Sequence, residues 1–206
     1  MTAPGADQLR QACEALAARD PVLAKAYDVI GLPKWRATEA SYETLARIVV
    51  YQLISTKAAD AIWTRIAARY DQVSAAAVIA DDQDELRACG LSRPKLAHLN
   101  AIAVAVERRD LDLDALARLS IDEARGQLLA VKGIGPWTAE TFLMNAIGHL
   151  DAFPVGDVGL MEAHKRLAGE AQRLTAKAFS QLAESWRPHR AVAAHLLYDW
   201  YNATRK

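Results

Sequence analysis

The chain is short of cysteine, of net charge and of long apolar runs. Its two cysteines, Cys13 and Cys89, lie far apart in sequence without close-spaced partners. That excludes a disulfide framework and a cysteine metal site, and a reduced, cytoplasmic setting is expected (at the nucleoid if the source is bacterial). With 25 Lys+Arg against 25 Asp+Glu the formal net charge is zero. Composition therefore speaks mildly against a dedicated basic nucleic-acid binder, while leaving room for a local basic face. No stretch reaches the roughly 18 uncharged apolar residues of a membrane span, so no membrane partner is expected. The opening MTAPGADQLRQACE lacks the apolar core of a secretion signal. Glycine and proline are few, at 10 and 7, and form no linker, and there is no internal repeat. The five histidines, at 98, 149, 164, 189 and 195, show no metal-ligand spacing.

What is abundant is apolar and helix-forming. Hydrophobic residues make up 52% of 206, which excludes a disordered chain and allows one domain over 1–206 with a core of its own. Alanine alone supplies roughly a fifth of the residues, and the pattern reads as helix after helix without an alternating strand signature. Helices are predicted at about 7–19, 21–30, 41–55, 57–70, 73–80, 82–89, 94–108, 112–118, 121–131, from 136 onward, and at 158–168, 175–186 and 189–203. Ser120 and Glu123 form a capping-box signature, and Pro136 suits the first turn of a new helix. The expected fold class is all-α.

One segment is more specific, Leu128–Leu160, LLAVKGIGPWTAETFLMNAIGHLDAFPVGDVGL. Two helices flank Lys132-Gly133-Ile134-Gly135. Its glycines permit positive φ and close approach of another backbone, and Ile134 is expected to turn inward and pin the helices. The following helix offers free N–H groups suited to a phosphate oxygen. This turn resembles the helix-hairpin-helix motif. With the downstream loop Asp151–Asp157 it resembles the HhH-GPD superfamily of DNA glycosylases, and within it the DNA-3-methyladenine glycosylase II (AlkA-like) branch. Val50-Tyr51-Gln52-Leu53-Ile54-Ser55, Gly90-Leu91-Ser92-Arg93-Pro94-Lys95 and Trp186-Arg187-Pro188-His189-Arg190 resemble that branch in order along the chain. The chain is similar to a compact, purely helical version without an N-terminal β domain. The four-cysteine iron–sulfur loop of other branches is absent.

The resemblance implies two helical lobes around a cleft. One comprises about 1–40 plus 160–206, the other about 41–159 with the hairpin at 121–147, and the active site is expected in the cleft near Asp157 and Trp137. It further implies a monomeric, monofunctional glycosylase that flips alkylated bases of the 3-methyladenine and 7-methylguanine type out of double-stranded DNA. The enzyme would hydrolyse the N-glycosidic bond and leave an abasic site. Asp157 aligns with the catalytic Asp, whose carboxylate stabilises positive charge growing on the sugar. It also reads as the N-cap of the next helix, and the two readings are compatible, because the helix dipole favours negative charge there. Trp137 occupies the place where strand-nicking relatives carry a Schiff-base lysine; an indole there cannot act as nucleophile but can face a cationic base. Tyr198 and Trp200 are aromatic candidates for the pocket. Leu53 resembles an apolar wedge in the minor groove, with Gln52 beside it. Gly133 and Gly135 would grip phosphate, Lys132 would add charge, and Thr138 and Arg190 would contact the DNA backbone. No cofactor is implied beyond a monovalent cation, Na or K, held by carbonyls of Leu129, Val131 and Ile134. Modest, salt-sensitive DNA affinity follows from the neutral charge.

Plain structural readings stand beside these. Trp137, Tyr198 and Trp200 could be helix packing, Leu53 an ordinary exposed side chain, Asp151 a residue that structures the loop, and His164 either cleft-facing or packed. The sequence also departs from the branch at Thr141 and Val158, where aromatics are found, and at Gly156, where an acidic residue is common. Two other functions remain open: excision of another lesion such as uracil, hypoxanthine or a mismatched base, and DNA binding without catalysis.

Overall fold

Side-chain caps open most of the helices, and they explain where the chain turns. In the computed structural model, which describes residues 3–204, every element is helical and no strand occurs among the described residues. The helices are α1 (Ala6–Ala17), α2 (Pro21–Ile30), α3 (Tyr42–Tyr51), α4 (Thr56–Ala67), α5 (Ala75–Ala80), α6 (Gln83–Ala88), α7 (Arg93–Glu107), α8 (Ile121–Ala130), α9 (Pro136–Phe142), α10 (Val158–Ala168), α11 (Ala176–Glu184) and α12 (Arg190–Thr204). Ser41, Ser55, Ser74, Ser92 and Thr175 each accept a backbone N–H in the first turn that follows them, satisfying donors that a helix start leaves unpaired. The capping box is complete: Ser120 Oγ accepts from Glu123 N–H, and Glu123 accepts from Ser120 N–H.

The predicted helices exist, with three corrections. The helix expected over 41–55 stops at Tyr51, because Ser55 begins α4 and the chain must turn in between. The helix expected at 112–118 shrinks to a 3-10 turn at Leu116–Arg118. There Asp112 accepts from the N–H groups of Asp114 and Ala115, the bonding that starts a helix, yet only a single short turn follows before Leu119 returns to extended backbone. After α9 the chain widens into a π turn at Leu143–Ile147, for which the sequence carries no signal.

Two compact units form. The first combines residues 3–37 with 148–204, the second spans 38–147. In the first, Asp20 starts α2 by accepting from Val22 and Leu23 N–H, and its other oxygen accepts the buried Trp186 indole N–H at 2.7 Å. One carboxylate thus joins the two ends of the chain. Around it Phe153, Phe179 and Trp186 pack edge to face or tilted, with centroids 5.6–5.7 Å apart, a geometry that rings favour. His164 is in this core, 5.6 Å from the Phe179 ring, and burial lowers its pKa; it is a packed histidine. In the second unit α3 and α5 pack on α7, and the Tyr42 hydroxyl donates to the Leu99 carbonyl at 3.1 Å.

Residues 148–159, expected with the 41–159 lobe, belong to the first unit. The reason is a set of long-range bonds. Leu150 carbonyl accepts from Ala191 N–H at 2.9 Å, Asp151 accepts from Arg187 and Arg190, and Phe153 enters the aromatic cluster.

Candidate active site and nucleic-acid interface

The loop 148–157 carries the acidic candidate, and the first unit holds it firmly. Arg190 grips Asp151 with Nε and Nη2, both at 2.9 Å, and gives Nη1 to Glu184 at 2.9 Å. Its side chain is only 7% exposed. The backbone-contact role expected for Arg190 therefore fails on geometry: its guanidinium is spent inside the protein, where it fixes the loop. Asp151 is the loop-structuring residue. Gly156 adopts φ +82°, a region that a side chain resists, which explains a glycine where an acid would be common.

Asp157 then starts α10, its Oδ1 accepting from Leu160 N–H at 2.9 Å. Tyr198, half-buried on α12, hydrogen-bonds the same carboxylate. Burial first, and the Asp157 charge and hydrogen bond second, hold this phenol well above its usual pKa, so it stays a proton donor. Arg36 stacks on the Tyr198 ring, 5.6 Å from its centroid, pairs with Asp199 and donates to His195 Nδ1 at 3.2 Å. Lys34 N–H adds a bond to Asp199 at 2.6 Å. His195 is fully buried, and burial with the Arg36 charge pushes its pKa down to about 3, leaving it a neutral acceptor. Trp200 leaves α12 roughly 200° around from Tyr198; of the two aromatic candidates, Tyr198 is the one that meets Asp157. Gly159 leaves the carboxylate its room: a Cβ there would lie 3.1 Å from Asp157 Oδ1 and 3.8 Å from Tyr198 Cε1.

The second unit contains the hairpin between α8 and α9. Gly133 has φ +99°, and a Cβ on it would fall 2.7 Å from His98 Cβ and 2.9 Å from His98 Cα, so the turn lies directly on α7. Ile134 is buried beneath it, as its apolar character predicts, and Lys132 and Gly135 are exposed. Gly135 is the N-cap of α9, with no side-chain cap and open space where a Cβ would be. Val131 carbonyl accepts one N–H, that of Ile134 at 3.1 Å, and no backbone N–H among the described residues reaches the carbonyls of Leu129 or Ile134. Each of these three oxygens thus keeps at least one lone pair unused by backbone N–H groups.

Thr138, expected to contact DNA, is fully buried and accepts instead from the Gln52 side-chain amide. Gln52 thereby braces the turn after α3. Leu53 follows at φ +58° with its side chain 100% exposed. A β-carbon-bearing residue held in this region costs about 1 kcal/mol or more, and a fully solvated leucine gains no burial in return. Trp137 is half-buried on α9, and Thr141 satisfies its hydroxyl on the Trp137 carbonyl at 2.7 Å. Val158, next to Asp157, is exposed.

Residues 46–188 match the HhH-GPD superfamily of base excision DNA repair proteins. The chain belongs to this superfamily. A DNA-3-methyladenine glycosylase 1 of Schizosaccharomyces pombe is 32% identical over 161 residues, 76% of this chain and 71% of that protein. A probable bifunctional transcriptional activator/DNA repair enzyme AlkA of Mycobacterium tuberculosis is 36% identical over 166 residues. The chain spans about a third of that protein's length, 32%. Among solved structures, the S. pombe 3-methyladenine DNA glycosylase Mag1 in complex with abasic DNA superposes with a TM-score of 0.85 at 27% identity, covering 92% of this chain and 95% of that one. A DNA-3-methyladenine glycosidase of Bacillus halodurans gives 0.77 at 28% identity, over 92% and 88%. No helix among the described residues is long and apolar enough to cross a membrane. Arg36, which stacks on Tyr198, Asp199, which holds Arg36, and Gly159, beside Asp157, were not legible in the sequence; they have no motif of their own.

Proposed function

We propose that this superfamily member is a monofunctional DNA glycosylase that excises alkylated bases from double-stranded DNA, acts as a monomer and leaves an abasic site. The observation that carries the proposal is Asp157, a carboxylate kept at a helix start by Leu160 N–H and by a tyrosine that remains protonated. Cleaving a nucleoside C–N bond develops positive charge on the sugar, which such a carboxylate stabilises. A base methylated on a ring nitrogen is already cationic and leaves without a general acid. Trp137, in the place of a lysine nucleophile, offers such a base an electron-rich face but no amine for lyase chemistry. Leu53 serves as the wedge that fills the flipped base's place, and the strain it bears without burial supports a role outside the fold. Gly133, Gly135 and Lys132 receive phosphate, and the carbonyls of Leu129, Val131 and Ile134 hold a monovalent cation that adds positive charge at that turn.

The test is incubation with methylated duplex DNA, and in parallel with duplexes carrying uracil or hypoxanthine, with released bases identified by chromatography and strands analysed with and without alkali. Release of N3- and N7-methylpurines with breaks only after alkali is expected. Breaks without alkali would overturn the monofunctional assignment, and release of uracil or hypoxanthine alone would point to another lesion. Bound DNA with no base released would mean a binding protein.

Two substitutions refine the assignment. Gly159→Ala adds a favourable helix residue, worth up to about 1 kcal/mol, against a disturbed Asp157 cap that costs about as much, so the melting temperature is expected to stay within a few degrees of wild type. Its Cβ displaces the Asp157 carboxylate, and base release is expected to fall about tenfold; full turnover in a stable variant would show that the carboxylate does not need that space. Leu53→Ala is expected to slow excision of a paired lesion about tenfold with little change on a single-stranded one. Equal effects on both would remove the wedge role.

A further inference from the structure

The strained turn at Leu53 needs something to hold it, and α3 cannot do so alone. The last carbonyls of a helix lack intrahelical partners. Here two carbonyls at the end of α3, those of Val50 and Gln52, converge on the Lys95 ammonium at 2.6 and 2.7 Å. The Gln52 carbonyl belongs to the peptide plane that enters Leu53, so a bond to it restrains the rotation that sets Leu53 at φ +58°. Lys95 occupies the first turn of α7, where its own N–H donates to the Ser92 cap at 3.4 Å. A cation at that end of a helix opposes the helix dipole, and no carboxylate pairs with Lys95 among the described residues. Half-buried, it loses hydration, and this lowers its pKa. Neither α7 nor a salt bridge explains a lysine there; the two carbonyls do. From the other side, the Gln52 amide is tied to buried Thr138, in the first turn of α9 after the hairpin.

We infer that Lys95 is a positioning residue for base extrusion: its ammonium locks the peptide before Leu53, so that the leucine stands rigidly out from the protein before DNA arrives. This rests on the wedge role proposed above. Preorganisation of this kind lowers the ordering cost of forming the flipped complex. It acts only where a base pair must be opened.

The test compares Lys95→Met, which keeps the apolar stem and removes both bonds, with wild type, Leu53→Ala and the double variant. Single-turnover base release is measured on a methylpurine in paired duplex and in single strand. Lys95→Met is expected to lose about tenfold on the paired lesion and less than about threefold on the unpaired one. It is expected to cost nothing further in the Leu53→Ala background, a non-additivity that general destabilisation would not produce. Thermal melting precedes the kinetics; if Lys95→Met does not fold, Lys95→Gln, which keeps one donor group, carries the same comparison. Equal losses on both substrates, or additive losses in the double variant, would overturn the inference. If Leu53→Ala separates the substrates and Lys95→Met does not, the inference alone falls. If Leu53→Ala itself fails to separate them, the wedge role is wrong and the inference falls with it.

Discussion

Asp157→Asn is expected to abolish base release from methylated duplex DNA, by at least about a hundredfold, while the protein folds and binds an abasic duplex as before. The size follows from what a preorganised electrostatic group contributes at a developing charge, about 3–4 kcal/mol. The selectivity follows from the local structure. Asparagine caps helices about as well as aspartate, and its side-chain oxygen can still accept from Leu160 N–H, as Oδ1 now does at 2.9 Å. The aromatic cluster and the Arg190–Asp151 bonds lie elsewhere in the loop and are unaffected. Melting temperature is therefore expected to stay within a few degrees of wild type. Affinity for a product duplex is expected to hold or increase, because a negative charge facing phosphates is lost. Asp157→Ala would confuse the experiment, since losing the cap costs about 1 kcal/mol besides the charge. Full turnover in Asp157→Asn would remove the carboxylate from the mechanism and return Asp157 to a simple cap. Retained binding without turnover, in a protein of unchanged stability, separates chemistry from recognition.

Gly133→Ala is expected to be the most destabilising single methyl addition in the hairpin, lowering unfolding stability by about 2–4 kcal/mol. Two independent costs combine. The backbone is at φ +99°, and the added Cβ would meet the Cβ of His98 at 2.7 Å and its backbone Cα at 2.9 Å. A side chain can rotate away from a clash of that kind, whereas the backbone of α7 cannot, so the hairpin itself must lift. Gly135→Ala is the control. That residue has an ordinary φ of −88° and nothing near its would-be Cβ. Its stability is expected to change by less than about 1 kcal/mol, yet duplex affinity is expected to drop, because a methyl group would stand in the path of the phosphate contact proposed for this turn. Denaturant unfolding and a binding titration over salt concentration distinguish the two. If Gly135→Ala binds normally with an unchanged salt slope, the hairpin's phosphate role is carried elsewhere.

The outcome at individual residues shows why some features are readable from sequence. Ser120 with Glu123, and Asp157 with Leu160, are pairings between residues three apart. Such bonds form within one turn, so the residue types alone announce them. The same holds for apolar Ile134 between two glycines, which has nowhere to go but inward. These local rules yielded the helices, the hairpin and the acidic residue at the head of α10. They overran at 112–118, where Asp112 supplies a helix-starting cap but the chain leaves helical geometry after the 3-10 turn at Leu116–Arg118.

Other assignments depended on partners far along the chain. Arg190 and Thr138 are polar residues at motif positions, and each was expected to face DNA; Asp151 and Glu184 claim the first, Gln52 and burial the second. The Arg190 bonds, with those of Arg187 and Leu150 and the packing of Phe153, place residues 148–159 outside the lobe expected for them. Tyr198 and Trp200 are equivalent by composition, and only their directions around α12 and the position of Asp157 choose between them. Lys95 was visible as a motif residue without a task until the end of α3 was placed at its ammonium. By itself, then, the sequence determined the helical class, the hairpin, the family and the acidic residue at the head of α10, because bonds between near neighbours and the spacing of a few residue types specify these. Tertiary structure alone decided which charges are consumed internally, which leucine stands exposed under strain and what holds it there, because those depend on groups brought together from distant parts of the chain.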